Sequence, residues 1–214
     1  MHLSMILLNF NSKKIIIKMF RLRTLFLLIN LIATSANLYC QSNFYFRLAD
    51  STLTLTYQKV QYDPSYIQIK YPNGDVPANK GVCSDVVIRA YRKLGIDLQK
   101  EVHQDMQSNF NKYPKIWGLK STDKNIDHRR VPNLMTFFSR KGNVLKISTN
   151  PKDYLPGEIV CWDLGGGITH IGMVVNKKSI DGQRYLIVHN IGNGQVLEDC
   201  LFSFKIIGHY SYKK

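Results

Sequence analysis

The rhythm of hydrophobic and polar positions changes twice along this 214-residue chain. A run from Thr24 to Ala33 (TLFLLINLIA) is almost wholly apolar, yet short for a bilayer crossing. Asn43 to Val60 reads as a helix weakened by its threonines and ended by Asp63-Pro64. Tyr66 to Lys70 (YIQIK) alternates and predicts an extended segment, and Tyr71-Pro72-Asn73-Gly74-Asp75 is a turn cluster. Apolar residues then recur at helical spacing at Val86, Val87, Ala90, Tyr91 and Leu94, so a helix starts near Cys83 and closes at Gly95. Shorter helices are expected over Val102 to Phe110 and Val131 to Arg140, the latter with Pro132 in its first turn.

After Pro156-Gly157 the texture becomes that of strands. Five are expected: Glu158 to Leu164, His170 to Asn176, Tyr185 to Asn190, Gln195 to Asp199 and Lys205 to Tyr212. Helices first and an antiparallel meander second make an α+β fold. The change of texture near Asn150 lies within one domain, since the chain is too short for two comfortable cores. It carries no internal repeat.

Charge alters the reading of the N-terminus. Residues 1–40 hold five basic side chains (Lys13, Lys14, Lys18, Arg21, Arg23) and no acidic one, followed by the apolar run and the small residues Thr34, Ser35 and Ala36. Basic start, apolar middle and small-residue end are the parts of a secretory signal. Residues 1–40 are therefore expected to be a cleaved leader, with Met19 an alternative start, and 41–214 a single exported domain. Tyr39 is too bulky for the position before a lipidated cysteine, which argues against lipidation at Cys40. Taking five basic residues from 29, against 15 acidic, leaves a mature charge of +9. That suits either a polyanionic neighbourhood such as a cell wall or simply a solvated basic surface. No basic run interleaved with aromatics marks a nucleic-acid module.

Three cysteines remain beyond the leader, Cys83, Cys161 and Cys200, so at least one thiol is unpaired. No His/Cys cluster has metal-ligand spacing along the chain, and neither metal nor cofactor is expected. Cys83 stands where a glycine-containing turn meets the first turn of an amphipathic helix. There the free N–H groups and the helix dipole favour a thiolate and can receive an oxyanion, with Ser84 and Asp85 beside it. The alternative is a small core cysteine. His170 opens one strand and His189 closes the next. A hairpin centred on Ser179-Ile180 would place the two directly opposite, one imidazole orienting the other. Asp163 either lines a cleft or serves its turn. Asp127-His128-Arg129-Arg130 either binds substrate carboxylates through Arg129 and Arg130 or closes internal ion pairs. His103, His209, Cys161 and Cys200 are read as structural.

The stretch Val82 to Ile96 (VCSDVVIRAYRKLGI) resembles the nucleophile helix of NlpC-type cell-wall peptidases. Pro156-Gly157-Glu158-Ile159-Val160, His170-Ile171-Gly172-Met173-Val174 and Val188-His189-Asn190 are similar, in the same order, to the strands that follow it in those enzymes. The whole segment from Tyr62 to Tyr212 resembles a bacterial family known as domain of unknown function 1287, through YPNGDVP, DHRRVPNL, PGEIVCWDLGGG and HNIGNG. The resemblance implies a papain-like fold, a Cys83, His170, His189 triad and oxyanion help from Tyr71. It also implies an amidohydrolase that cleaves peptidoglycan stem peptides; with the leader removed, a monomer outside the cytoplasm without stable membrane insertion is expected. Asp85 stands where NlpC-type enzymes usually carry glycine, Val82 where they carry aspartate, and the segment from His103 to Arg130 has no counterpart. Two other classes use the same residues: a cysteine acyltransferase, and a wall-binding module without catalysis.

Overall fold

The computed structural model describes residues 43–214 together with Arg23, Phe26 and Asn30. The expected leader, its cleavage site and Cys40 otherwise lie outside the described residues. The chain divides into two units, Met1–Asn43 and Phe44–Lys214, and the second holds every element that follows. No helix among the described residues is long and apolar enough to cross a membrane.

Residues 43–53 are helical (α1), followed by a 3₁₀ turn at Thr54–Tyr57. The helix ends short of Val60 because its threonines compete with the backbone. Thr54 Oγ1 donates to Ser51 O and Thr56 Oγ1 to Leu53 O, and Gln58 is already extended. The two-residue strands Gln61–Tyr62 (β1) and Lys80–Gly81 (β2) pair in parallel. Between them, residues 66–70 join no ladder. Asn125 accepts from Ile69 N and Gln99 donates to Lys70 O, so side chains take the place of a neighbouring strand.

Helix α2 (Cys83–Lys93) buries Val86, Val87, Ala90 and Tyr91, and Gly95 takes φ 81° just past its end, where the last carbonyls find donors. Helix α3 (Leu98–Ser108) begins earlier than its apolar pattern suggests, because Asp97 caps it by accepting from Lys100 N. Helix α4 (Val131–Lys141) carries Pro132 in its first turn, as expected.

Six antiparallel strands form the sheet: Asn143–Val144 (β3), Ile159–Asp163 (β4), Thr169–Lys178 (β5), Tyr185–His189 (β6), Val196–Glu198 (β7) and Lys205–Ser211 (β8). Their spatial order is β3-β8-β4-β5-β6-β7. The fold is thus α+β around an antiparallel sheet, with α2 packed chiefly on β5. One face carries Ile159, Cys161, Ile171, Met173, Val175 and Val188 into a core shared with all four helices. The opposite face carries Val160, Trp162, Val174 and Ile187 under Tyr154, Cys200 and Leu201. Gly157, at φ 87°, admits α1 closely: a Cβ there would stand 2.4 Å from Tyr45 O.

The β5–β6 register departs from the expected hairpin. Met173 pairs with Val188 and Val174 with Ile187, which brings His189 beside Gly172 instead of His170. The loop is the reason. It closes between Ser179 N and Arg184 O around Asp181 and Gly182, and a register shift between Val174 and Lys178 adds to the offset. A Cβ on Gly172 would lie 2.8 Å from Ile187 Cγ2 and 3.1 Å from His189 Cβ. Gly172→Ala is expected to cost about 1–3 kcal/mol as an overpacked core position, read by urea denaturation. A change under about 0.5 kcal/mol would mean that β5 and β6 sit farther apart than described.

Candidate active site

Cys83 is the first residue of α2, and its entry is held from three sides. The Asp85 carboxylate accepts from Val82 N at 2.7 Å, satisfying a donor at the helix start. Asn190, next to His189, donates to Gly81 O at 3.1 Å. Ser84 Oγ donates to Arg129 O at 2.7 Å. The Arg129 guanidinium then closes a two-point ion pair on Asp85, with Nε to Oδ1 and Nη2 to Oδ2 both 2.9 Å. Both side chains are 2% exposed, so this pair is part of the interior.

The sulfur lies against the backbone N–H of Ile171, the residue after His170, and near the N–H groups of Ser84 and Cys83 itself. Burial nevertheless dominates and pushes the thiol up to about 11, with those N–H groups pulling the other way. The thiolate bias expected from the helix start is therefore outweighed. Burial, then the neighbouring His189, pushes the His170 imidazole down to about 3. Thiol and imidazole are both neutral in the resting protein.

The two histidines meet diagonally across the ladder. His170 Nε2 and His189 Nδ1 are 2.8 Å apart, and His189 Nε2 lies 2.9 Å from Glu198 Oε2. Glu198 pairs with Ile187 in β7, so it too reaches His189 on the diagonal. The carboxylate can only accept, so His189 holds its proton on Nε2. Its Nδ1 then accepts from His170 Nε2–H, which leaves His170 Nδ1 with a lone pair. Among the described residues nothing hydrogen-bonds to that nitrogen, and no hydrogen bond joins Cys83 directly to His170. The Trp162 ring packs against His170 with centroids 5.8 Å apart.

Beside Cys83 opens a cleft of about 410 Å³ lined by Tyr62, Tyr66, Trp117, Arg129, Arg130 and Thr169, among others. Arg130 lies over the Trp117 ring at 4.2 Å and within 4.0 Å of Asp127. Tyr62 is close enough to Cys83 for their charges to interact, and burial first, then Cys83 and Asp85, raise its hydroxyl.

Cys83, His170 and His189 thus come to one end of β5, with Arg129 and Arg130 nearby. Asp85 and Arg129 spend their side chains on each other, and Ser84 donates its hydroxyl to the Arg129 backbone carbonyl. Tyr71 does not line the cleft; it packs edge-on against His103 with centroids 5.0 Å apart, and Tyr62 stands beside the sulfur instead. Asp163 accepts from Gly165 N at 2.8 Å and serves its turn. The segment 103–130, without a counterpart in the NlpC resemblance, delivers Trp117, Arg129 and Arg130 to the cleft. Sequence reasoning missed Tyr62 and Glu198. Alternation along β7 was the only signal for Glu198. It also missed that the fold gathers His189, Glu198 and Cys200, whose ligand-type atoms lie within 4.8 Å of one another.

A family model described as "Domain of unknown function (DUF1287)" matches residues 49–212. The uncharacterized protein YijF of Escherichia coli strain K12 is 51% identical over 172 residues, covering 80% of this chain and 83% of that protein. No solved structure matches.

Two outcomes follow from this geometry. Arg129→Met leaves Asp85 buried and uncompensated and is expected to cost about 3–5 kcal/mol in denaturant. Replacing both partners, Asp85→Val with Arg129→Met, should recover part of that loss; a double variant less stable than the single one would contradict the pair's role. Iodoacetamide labelling of Cys83, located by peptide mass mapping, should still be climbing with pH above 9, because half of the thiol is ionised only at about pH 11. A plateau already reached by pH 8 would show an activated thiolate instead.

Proposed function

The chain belongs to the DUF1287 family, and from that premise we propose that it is an exported papain-like cysteine amidohydrolase. Its substrate in this reading is an amide bond in the peptide stems of peptidoglycan. The observation that carries the reading is the polar line Glu198–His189–His170 on the strand whose next residue, Ile171, turns its N–H to Cys83. A core cysteine needs no such line. Two buried histidines cost free energy to desolvate, as their lowered proton affinities record. The choice of cell-wall peptide rests on the resemblance to NlpC-type enzymes, on the basic leader-like N-terminus and on the positive charge of residues 41–214.

In the mechanism, a peptide carbonyl enters the cleft over Cys83. His170 Nδ1 takes the thiol proton as sulfur bonds to the carbonyl carbon. The oxyanion is received by the N–H groups at the start of α2, with the Tyr62 hydroxyl in the position that the resemblance gives to Tyr71. His170 passes the proton to the leaving amine nitrogen and the C–N bond breaks, leaving a thioester. Water, deprotonated by the same nitrogen, attacks the thioester. The acid departs and the thiol is restored. Because both partners rest neutral, charge separates only as the oxyanion forms to balance it. His189 and Glu198 do not touch the substrate; they hold the tautomer of His170. Trp117, Tyr62 and Tyr66 offer apolar walls, and Arg130 a cation for a stem carboxylate.

The test is release of soluble fragments from purified sacculi by the reduced protein, identified by mass spectrometry. Cys83→Ala should abolish release while leaving the melting curve in place, and His170→Ala should lower it by roughly 10²–10⁴. Glu198→Gln should lower it at least about tenfold by loosening the tautomer. Fragment release unchanged in Cys83→Ala, or none from the wild type, would overturn the reading.

A further inference from the structure

The proton between His189 and Glu198 occupies a place that a metal ion can take. His189 Nε2 is 2.9 Å from Glu198 Oε2 and 3.5 Å from Cys200 Sγ, and all three atoms lie within 4.8 Å of one another. Zinc-class ions bind such nitrogen, oxygen and sulfur donors at about 2.0–2.3 Å, which places donors at tetrahedral corners roughly 3.3–3.8 Å apart. Small side-chain adjustments bring the three atoms to that spacing. The Glu198 side chain is 42% exposed, so the carboxylate end of the cluster is open to solvent. Cys200 is buried and bonds to no other cysteine. A neutral imidazole, a carboxylate and a thiolate together neutralise a divalent charge. The remaining nitrogen of His189 meets His170, the kind of outer partner that fixes a ligating imidazole.

We propose that His189, Glu198 and Cys200 bind one divalent ion of the zinc class, and that its occupancy switches the neighbouring site off. The binding step stands without the reading of Cys83 as nucleophile; only the inhibitory consequence rests on it. The proton balance is explicit. The Cys200 thiol gives its proton to solvent as sulfur bonds to the metal. His189 bonds through Nε2 and carries its proton on Nδ1. That N–H now donates to His170 Nε2, so the His170 proton moves to Nδ1. The lone pair that would receive the Cys83 proton is gone. A protein with the ion bound is thus held in the opposite tautomer, and removal of the ion restores the first.

The test uses the full chain, reduced and stripped with a chelator, titrated with cobalt(II) as a spectroscopic substitute for zinc. One equivalent should produce a near-ultraviolet sulfur-to-cobalt band and intense visible bands of tetrahedral cobalt, and added zinc should bleach both. Cys200→Ser should remove the sulfur band, whereas Cys83→Ala should leave it. Circular dichroism melting of Cys200→Ser checks that it folds, and Glu198→Gln supplies a second variant that should weaken cobalt binding at least tenfold. No sulfur band in the wild type, or one lost with Cys83→Ala and kept with Cys200→Ser, overturns the site. Fragment release should fall at least tenfold at saturating zinc and return with chelator; binding without that fall overturns the switch alone. Release by the metal-free protein is scored separately, so loss of the hydrolase reading is distinguishable from loss of the metal site.

Discussion

His189 reaches His170 because the residue beside it on β5, Gly172, has no side chain. The ladder does not set the two imidazoles face to face. It offsets them by two residues, and diagonal partners in a sheet are reached only by long side chains across an open position. With a methyl group at 172, Ile187 and His189 would both be crowded. The empty position lets the His189 ring lean along the strand, keep one nitrogen on His170 and present the other to Glu198. The tautomers, the proposed proton transfer and the proposed metal switch all hang on that offset.

The second constraint is the start of α2. A helix whose first residue is to face a strand end needs its free N–H groups occupied and its axis fixed. Here an aspartate does both. Asp85 takes the Val82 N–H and grips Arg129, which in turn ties the segment before α4 to α2. A buried ion pair of this kind adds little net stability over apolar residues of the same shape, yet it is costly to break and specifies one arrangement. The cleft forms where that arrangement leaves Tyr62, Trp117 and Arg130 around the sulfur. The cleft wall and the helix anchor are therefore one construction.

Much of this was legible in the pattern of residues. The helix from Cys83, its glycine stop and all five C-terminal strands follow from local periodicity, which a packed core obeys. The ends of elements were less legible where side chains compete with the backbone, as at Thr54, Thr56 and Asp97. The hairpin register was missed because it depends on a bulge and on the Ser179–Arg184 loop, neither of which shows in alternation. Tyr62 and Glu198 were missed for a similar reason. Tyr62 comes to Cys83 through the chain path between β1 and β2, and Glu198 comes to His189 through a third strand. The balance of burial against helix-start N–H groups at Cys83 also could not be read from position, since it depends on how much protein covers the sulfur. Residue types near the site were visible early; their partners required the fold.

The proposed chemistry turns on the tautomer of His170. It is read most directly by nitrogen-15 NMR of the histidine side chains in metal-free, reduced protein, with resonances assigned through His170→Gln and His189→Gln. His170 should be protonated on Nε2 with Nδ1 bare, and His189 likewise protonated on Nε2, near neutral pH. His170 carrying its proton on Nδ1 in the metal-free protein would contradict it, because no base would then face the thiol.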